Sequence, residues 1–222
     1  MRLSNLVVVG ASLAGLRAVE ALRRRGYDGR ITWVGDELRL PYDRPPLSKQ
    51  VLRGEWSEER VALKADYAAL EVDLRLGCRA TSLDPRERLL NLNDGAALSY
   101  DGLVVATGAR PKLPPWARGA SRIHALRTLD DALAIRRALD GSPRVAIVGA
   151  GFIGLEVAAS VRALGLDVTV IDVAEVPLAH ALGGAMGAAL ADYHRDHGVL
   201  FRTGVGVARP VGGEALQRLE LT

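Results

Sequence analysis

The sequence contains very little cysteine. Its 222 residues include one cysteine, Cys78, so no disulfide can form within the chain and no cysteine pair is available for dithiol redox chemistry. Such cysteine usage is typical of a reducing cytoplasm, where we expect the protein to reside. Cys78 itself is predicted to be a buried, unreactive thiol.

Long apolar runs and a strong excess of charge are also absent. No stretch approaches the roughly 20 apolar residues of a membrane helix, so we predict no contact with a membrane. The opening MRLSNLVVVGASLAGL fits a strand, a glycine turn and a helix better than a signal peptide. The net charge of +3 is a mild basic excess, so we predict no nucleic-acid partner.

Glycine is abundant, with 24 residues, and much of it falls in two similar segments. Each segment reads as a strand, a glycine turn, a helix and a second strand. The first has these elements at 6–9, 10–15, 14–25 and 31–34, and the second has them at 144–148, 149–154, 152–164 and 168–171. The duplicated unit predicts an α/β fold with two Rossmann-like dinucleotide-binding units.

Weaker patterns fill the rest of the chain. They predict helices at 57–70, 129–139 and 187–197, and strands at 72–76, 79–83, 88–92, 103–106, 199–202 and 216–221. The segment ARPKLPPWARGA at 109–120 is broken by three prolines and is the best candidate domain boundary. We therefore predict one domain over 1–110 and another over 111–222.

Both glycine turns have the spacing that a dinucleotide requires. The first glycine permits a tight turn, the second lets the backbone approach a pyrophosphate, and the third lets the helix pack on the strand. The later turn has all three, Gly149, Gly151 and Gly154, whereas the earlier turn has Gly10 and Gly15 with Ser12 between them. One such turn is weak evidence, but two in the same context favour nucleotide sites over glycines used only for packing.

Carboxylates follow each unit where a ribose would lie. Asp172 ends the strand after the second turn, and its charge would repel a 2′-phosphate, which favours NAD over NADP. Asp36 and Glu37 follow the corresponding first-unit strand, and Asp36 is the preferred ribose ligand. Two dinucleotide sites in one chain suggest two cofactors that exchange electrons, one a nicotinamide and the other most simply FAD.

A proline-rich loop, LPYDRPPLSK at 40–49, is too broken for a helix or a strand. Arg44 and Lys49 could supply positive charge where a flavin becomes negative on reduction. Pro45 and Pro46 would stiffen the loop before any ligand binds. Lys49 is one of only three lysines in the chain.

Five segments carry a resemblance to a known family. In order, LVVVGASLAGL, LPYDRPPLSK, LVVATGARP, LRTLDDA and VGAGFIGLEVAA resemble the motifs of FAD-dependent, NADH-linked ferredoxin reductases, two-dinucleotide-fold flavoproteins that serve bacterial oxygenases. The apoptosis-inducing-factor flavoproteins are similar over the same stretches. The resemblance covers the whole chain and implies FAD and NAD(H) as cofactors and a ferredoxin-type, [2Fe–2S] iron–sulfur protein as electron acceptor.

The resemblance also implies roles for individual residues. The FAD contacts would be Gly10, Ser12, Ala14 and Gly15 at the pyrophosphate, Asp36 at the ribose, Ala80 at the adenine, Thr107 and Gly108 at the exit from the FAD domain, and Arg44, Lys49 and Arg110 at the flavin. The NAD contacts would be Gly149, Gly151, Gly154 and Asp172. Glu156 would lie near the nicotinamide and pair with Lys49, and these two are the predicted catalytic residues.

Relatives of this type continue beyond residue 222, so the resemblance implies a chain that is incomplete at its C-terminus. Residues 1–110 would be the first half of a discontinuous FAD domain, and 111–222 would be an incomplete NAD domain. Two alternatives to a ferredoxin reductase stay open: a non-catalytic nucleotide-binding fragment, and an NADH oxidase that uses another acceptor. His194 and His197 are three residues apart without a third ligand, so we predict no metal site.

Overall fold

The structure, a computed structural model, describes residues 3–212 and 216–222. Its strands are β1 Asn5–Val9, β2 Arg30–Gly35, β3 Asp73–Leu76, β4 Ala80–Asp84, β5 Leu89–Leu92, β6 Ala97–Ser99, β7 Gly102–Val105, β8 Val145–Val148, β9 Val168–Asp172, β10 Val199–Thr203, β11 Val207–Gly212 and β12 Leu216–Leu221. Its α-helices are α1 Leu13–Arg24, α2 Glu58–Val61, α3 Leu129–Leu139, α4 Phe152–Ala163, α5 Ala179–Leu182 and α6 Gly184–Asp196. Short 3₁₀ helices lie at Pro45–Ser48 and Pro115–Ala117.

The chain forms two compact units. Unit 1 comprises Met1–Asp43 and Glu59–Arg110, and unit 2 comprises Arg44–Glu58 and Pro111–Thr222. Residues 44–49 of the proline-rich loop therefore belong to unit 2 although they lie early in the sequence. Leu52 explains why, because its side chain is fully buried in the same apolar cluster as Leu139 and Leu155. The domains predicted at 1–110 and 111–222 stay a prediction.

Unit 1 is built on a parallel four-stranded sheet with the strand order β3-β2-β1-β7. The β-branched run in β1 is buried on both faces, as expected for a central parallel strand. Leu16 and Val19 of α1 belong to the apolar cluster on one face. Leu90 and Leu92, from the antiparallel sheet β4-β5-β6, pack on the other. Cys78 adjoins this second cluster and is half-buried, not buried as predicted.

Unit 2 repeats the arrangement with a parallel sheet in the order β10-β9-β8. Apolar residues of α4, including Ala158 and Val161, pack with Val168 and Val170 of the central strand β9. Strands β11 and β12 form a separate antiparallel pair. In the described residues, no helix is both long and apolar enough to cross a membrane.

The helix predicted at 57–70 was wrong. Only Glu58–Val61 is helical, and Ala62 instead forms a β-bridge with Tyr42. Backbone hydrogen bonds from Asp43 N to Val61 O and from Leu63 N to Pro41 O hold this segment extended. Strands β6 and β11 and helix α5 were not predicted, whereas the two strand–turn–helix–strand repeats formed as predicted.

Candidate functional site

The glycine turn of unit 1 is fixed by close backbone contacts. Gly10 has a φ of +116°, and a Cβ there would lie 2.0 Å from the carbonyl oxygen of Ala106. A Cβ on Gly15 would lie 2.0 Å from the carbonyl oxygen of Gly10, so α1 can approach β1 only because residue 15 has no side chain. Trp33 Nε1 donates to the same Gly10 oxygen over 3.0 Å.

The start of α1 is open to an anion. Ser12 occupies the N-cap position in an extended conformation, and its side chain makes no capping hydrogen bond. No acidic residue lies in the first turn, and Ala14 in that turn is exposed. The N–H groups and the positive end of the helix dipole therefore fit a pyrophosphate.

Asp36, the predicted ribose ligand, is held by two arginines of unit 1. Arg79 Nε lies 2.8 Å from Oδ1, and Arg110 Nη2 lies 2.8 Å from Oδ2. All three side chains are at least 43% exposed, so these surface ion pairs contribute little free energy. Replacing an arginine partner of Asp36 by a ribose hydroxyl would therefore cost little. Arg110 is thus paired with Asp36, and its predicted place beside the flavin stays a prediction. Glu37, the less favoured ribose ligand, accepts a hydrogen bond from Tyr42 Oη.

Three further predicted FAD residues lie at the ends of strands in unit 1. Ala80 begins β4, directly after Arg79. Thr107 and Gly108 follow β7, and Gly108 adopts a φ of +67°. The backbone N of Thr107 would lie 3.1 Å from a Cβ on Gly10, so this segment closes against the first glycine turn.

The glycine turn of unit 2 reproduces the hydrogen bonding of the first. Gly149 N donates to Ile171 O over 2.8 Å, as Gly10 N does to Val34 O. A Cβ on Gly154 would lie 2.0 Å from the Gly149 carbonyl oxygen, the same distance as in the first turn. The internal duplication seen in the sequence is therefore preserved in the backbone.

Gly151 differs from its neighbours because the chain itself does not require a glycine there. Its φ of −78° and ψ of −178° suit any residue, and a Cβ would meet nothing within 4 Å. Open space over this backbone fits the close approach of a pyrophosphate. The residues of this turn therefore fit a dinucleotide.

Asp172 is fixed beside this turn by backbone donors. Its Oδ2 accepts from Ala150 N over 2.5 Å, and its Oδ1 accepts from Ala174 N over 2.7 Å. Each carboxylate oxygen keeps a second lone pair that can accept a hydrogen bond from a ribose hydroxyl.

Four apolar side chains at the end of β8, in the first turn of α4 and directly after β9 are at least half exposed: Val148, Phe152, Ile153 and Val173.

Lys49 and Glu156, the predicted catalytic residues, form an ion pair in unit 2. Lys49 Nζ lies 2.7 Å from Glu156 Oε2 and also donates to the carbonyl oxygen of Pro45 over 3.0 Å. The pair implied by the resemblance is therefore formed, whereas the catalytic roles of its members stay a prediction. Both side chains are about one-third exposed, so they are accessible to a ligand.

Arg44, the other predicted flavin contact of the proline-rich loop, anchors the backbone before α3. Its Nη1 donates to the carbonyl oxygen of Arg127 over 2.6 Å. Arg127 N in turn donates to Asp131 Oδ2, and Thr128 and Asp131 form a capping box at the start of α3. The LRTLDDA motif thus has a structural function in capping this helix.

Sequence reasoning missed several residues that shape these sites. Trp33 donates a hydrogen bond to Gly10, and Arg79 pairs with Asp36. Ser48 donates to Glu156, and Ser160 donates to the carbonyl oxygen of Ser48. One of these residues could have been found from the sequence: Ser160 lies four residues after Glu156 and so shares its helix face. No local pattern could have placed Trp33 under the first turn.

Known proteins match the chain along almost its whole length. The p-cumate 2,3-dioxygenase system ferredoxin–NAD(+) reductase component of Pseudomonas putida is 43% identical over 91% of this chain and 51% of that protein. Rhodocoxin reductase of Rhodococcus erythropolis is 40% identical over 91% of this chain and 48% of that protein. The chain therefore spans about half the length of these curated relatives.

Solved structures agree with the fold described above. The putidaredoxin reductase–putidaredoxin complex matches with a TM-score of 0.91 and 38% identity, over 97% of this chain and 53% of that chain. A ferredoxin reductase from Rhodopseudomonas palustris matches with a TM-score of 0.93 and 32% identity, over 99% of this chain and 55% of that chain. The family model for pyridine nucleotide-disulphide oxidoreductases matches residues 4–221. This match and the two Rossmann-like units of the structure show that the chain belongs to the pyridine nucleotide-disulphide oxidoreductase family.

Proposed function

We propose that the protein is a flavoprotein reductase that passes electrons from NADH through FAD to a ferredoxin-type iron–sulfur protein. The observation that carries the proposal is the open backbone at Gly151, in a turn where a φ of +107° explains Gly149 and a close backbone contact explains Gly154. Relatives named as ferredoxin–NAD(+) reductase components favour the same activity. The single cysteine favours flavin-to-acceptor transfer over disulfide chemistry and a cytoplasmic location.

Unit 1 would hold FAD. The turn from Gly10 through Ser12, Ala14 and Gly15 would bind the pyrophosphate with backbone N–H groups and the dipole of α1. Asp36 would accept hydrogen bonds from the ribose in exchange for its arginine partners. Further contacts would come from Ala80, Thr107, Gly108 and Arg110.

Unit 2 would hold NADH. Gly149, Gly151 and Gly154 would let the backbone approach the pyrophosphate, and Asp172 would accept hydrogen bonds from the adenosine ribose. Because a carboxylate at this position repels a 2′-phosphate, NADH would bind more tightly than NADPH. The exposed apolar side chains Phe152 and Ile153, in the first turn of α4, would shield the bound nucleotide from water.

Bound FAD would supply the redox chemistry, accepting two electrons from NADH and returning them one at a time. Lys49 would contribute a fixed positive charge, which favours the additional negative charge of a reduced flavin. Glu156 would orient the Lys49 ammonium, and Arg44 would provide a second cation in the same loop. The stiffness of the Pro45–Ser48 turn would keep these charges in place without a further loss of entropy.

The visible absorption spectrum of the purified chain, before and after addition of NADH, tests the proposal. Flavin bands that bleach with NADH would support both sites, and a [2Fe–2S] ferredoxin with cytochrome c as the final acceptor would then test the partner. Colourless protein that also fails to take up added FAD would contradict the proposal for this chain. Unchanged FAD uptake and turnover after Lys49→Ala with Arg44→Ala would contradict the roles given to those residues.

A further inference from the structure

A buried serine directly before Lys49 contacts the predicted catalytic pair. Ser48 Oγ donates a hydrogen bond to Glu156 Oε2 over 2.5 Å, the same oxygen that Lys49 Nζ approaches to 2.7 Å. Ser48 is only 4% exposed, so water cannot readily replace this contact. Within the described part of the chain, Glu156 Oε1 receives no hydrogen bond.

A second serine holds the first. Ser160 Oγ donates to the backbone carbonyl oxygen of Ser48 over 2.7 Å, and Ser160 is 1% exposed. Ser160 lies one helical turn after Glu156 on the same face of α4. Two successive turns of α4 therefore hold Ser48, one by its hydroxyl and one by its carbonyl.

The hydrogen bonds around Ser48 allow only one good arrangement. A serine hydroxyl has a single hydrogen to donate. The other acceptor within reach, the Pro45 carbonyl oxygen, is 3.4 Å away and already accepts from Lys49 Nζ at 3.0 Å. The hydroxyl hydrogen is therefore directed to Glu156, where the bond is shorter and charge-assisted.

Stability alone does not account for this arrangement. An ion pair as exposed as Lys49–Glu156 contributes little to folding, because water screens it. A buried hydroxyl that donates to such a pair, itself held by a second buried hydroxyl, instead restricts where the charges of the pair point. Preorganised charge of this kind accelerates a reaction because no reorganisation is needed when charge develops.

We propose that Ser48 is a positioning residue, supported by Ser160, that fixes Glu156 Oε2 and so orients the Lys49–Glu156 pair for a nucleotide bound to unit 2. The effect on nucleotide binding rests on the proposed function. The orientation of the pair does not, and it can be measured on the chain without a cofactor.

Three lysines make a spectroscopic test practical. The full chain labelled with ¹³C-lysine should give three Cε–Hε correlations, for Lys49, Lys64 and Lys112, with Lys49→Arg identifying the first. Ser48→Ala should move the Lys49 signal in the same direction as Glu156→Gln, and Ser48→Thr, which keeps the hydroxyl, should restore it. Ser160→Ala should produce a smaller shift. Ser57→Ala, a matched change at an exposed serine of the same unit, should leave the spectrum unchanged.

NADH affinity, measured by calorimetry with the same variants, gives a second readout. Ser48→Ala should weaken NADH binding by about tenfold, because binding would then have to order side chains that the parent chain already holds in place. Ser48→Thr should recover most of it. If Ser48→Ala does not fold, Ser160→Ala provides the comparison from the other side of the contact, with Ser48→Thr as the variant that keeps the hydroxyl.

The outcomes separate the two proposals. A Lys49 signal unmoved by Ser48→Ala, or a moved signal with unchanged NADH affinity, would overturn the positioning role. Failure of the parent chain to bind NADH would count against the proposed function alone, because the lysine spectrum would still decide whether Ser48 orients the pair.

Discussion

Trp33 Nε1 donates a hydrogen bond to the carbonyl oxygen of Gly10 over 3.0 Å. Trp33 lies in β2 and is fully buried, so its indole N–H needs an internal partner. The partner it finds is the first residue of the glycine turn, at the N-terminal side of α1. A residue of the unit 1 core therefore fixes the first residue of the predicted FAD turn through a hydrogen bond.

Trp33→Phe should keep a buried aromatic ring but remove this hydrogen bond together with part of the volume of the indole. We expect a loss of about 1–3 kcal/mol in the free energy of unfolding, because the Gly10 carbonyl loses its indole donor and the smaller ring leaves a gap in the core. Urea denaturation followed by circular dichroism measures it. Trp116→Phe is the control, since no hydrogen bond donated by its indole N–H is found in the described residues, and it should change stability by less than about 0.5 kcal/mol. Equal effects of the two changes would contradict the role of Trp33.

Gly151→Ala and Gly154→Ala should separate ligand binding from folding in the second turn. A Cβ on Gly151 meets nothing in the chain, so we expect a stability change of no more than about 1 kcal/mol with a marked loss of NADH binding. A Cβ on Gly154 would lie 2.0 Å from the Gly149 carbonyl oxygen, so that variant should lose stability as well. Thermal melts and NADH titrations measure both. Normal NADH affinity in Gly151→Ala would show that no pyrophosphate approaches there.

Asp172→Ala should reduce the preference for NADH over NADPH. The change removes the charge that would repel a 2′-phosphate, and it also removes an acceptor for the ribose hydroxyls. NADH binding should therefore weaken more than NADPH binding. Parallel titrations with the two nucleotides measure the ratio, and an unchanged ratio would place the adenosine ribose away from Asp172.

His194 should make stability depend on pH. Burial lowers the pKa of the His194 imidazole below its usual range, and the nearby His197 lowers it further. Below about pH 6.5 the unfolded chain therefore binds a proton more readily than the folded chain, so stability should fall as the pH decreases from 7 to 5. His194→Gln should flatten that dependence, as urea midpoints across this range would reveal. A variant with the same slope as the parent chain would assign the pH dependence to other groups.

The parts of the fold that sequence predicted are those governed by neighbouring residues. The two glycine turns and their flanking strands depend on local sterics, and both formed as expected. The helix predicted at 57–70 failed because Ala62 pairs with Tyr42, a contact that helical propensity cannot reveal. The partners of Ser48 and Asp36 lie far away in the sequence, so no local pattern could identify them.

The placement of residues 44–58 in unit 2 has a consequence for synthesis on the ribosome. Ser48 and its partner Ser160 are 112 residues apart, and Leu52 shares its apolar cluster with residues that are also translated much later. At typical elongation rates, the segment waits on the order of ten seconds before α4 emerges. During that interval Leu52 is an exposed apolar side chain in a nascent chain, the kind of surface that chaperones bind.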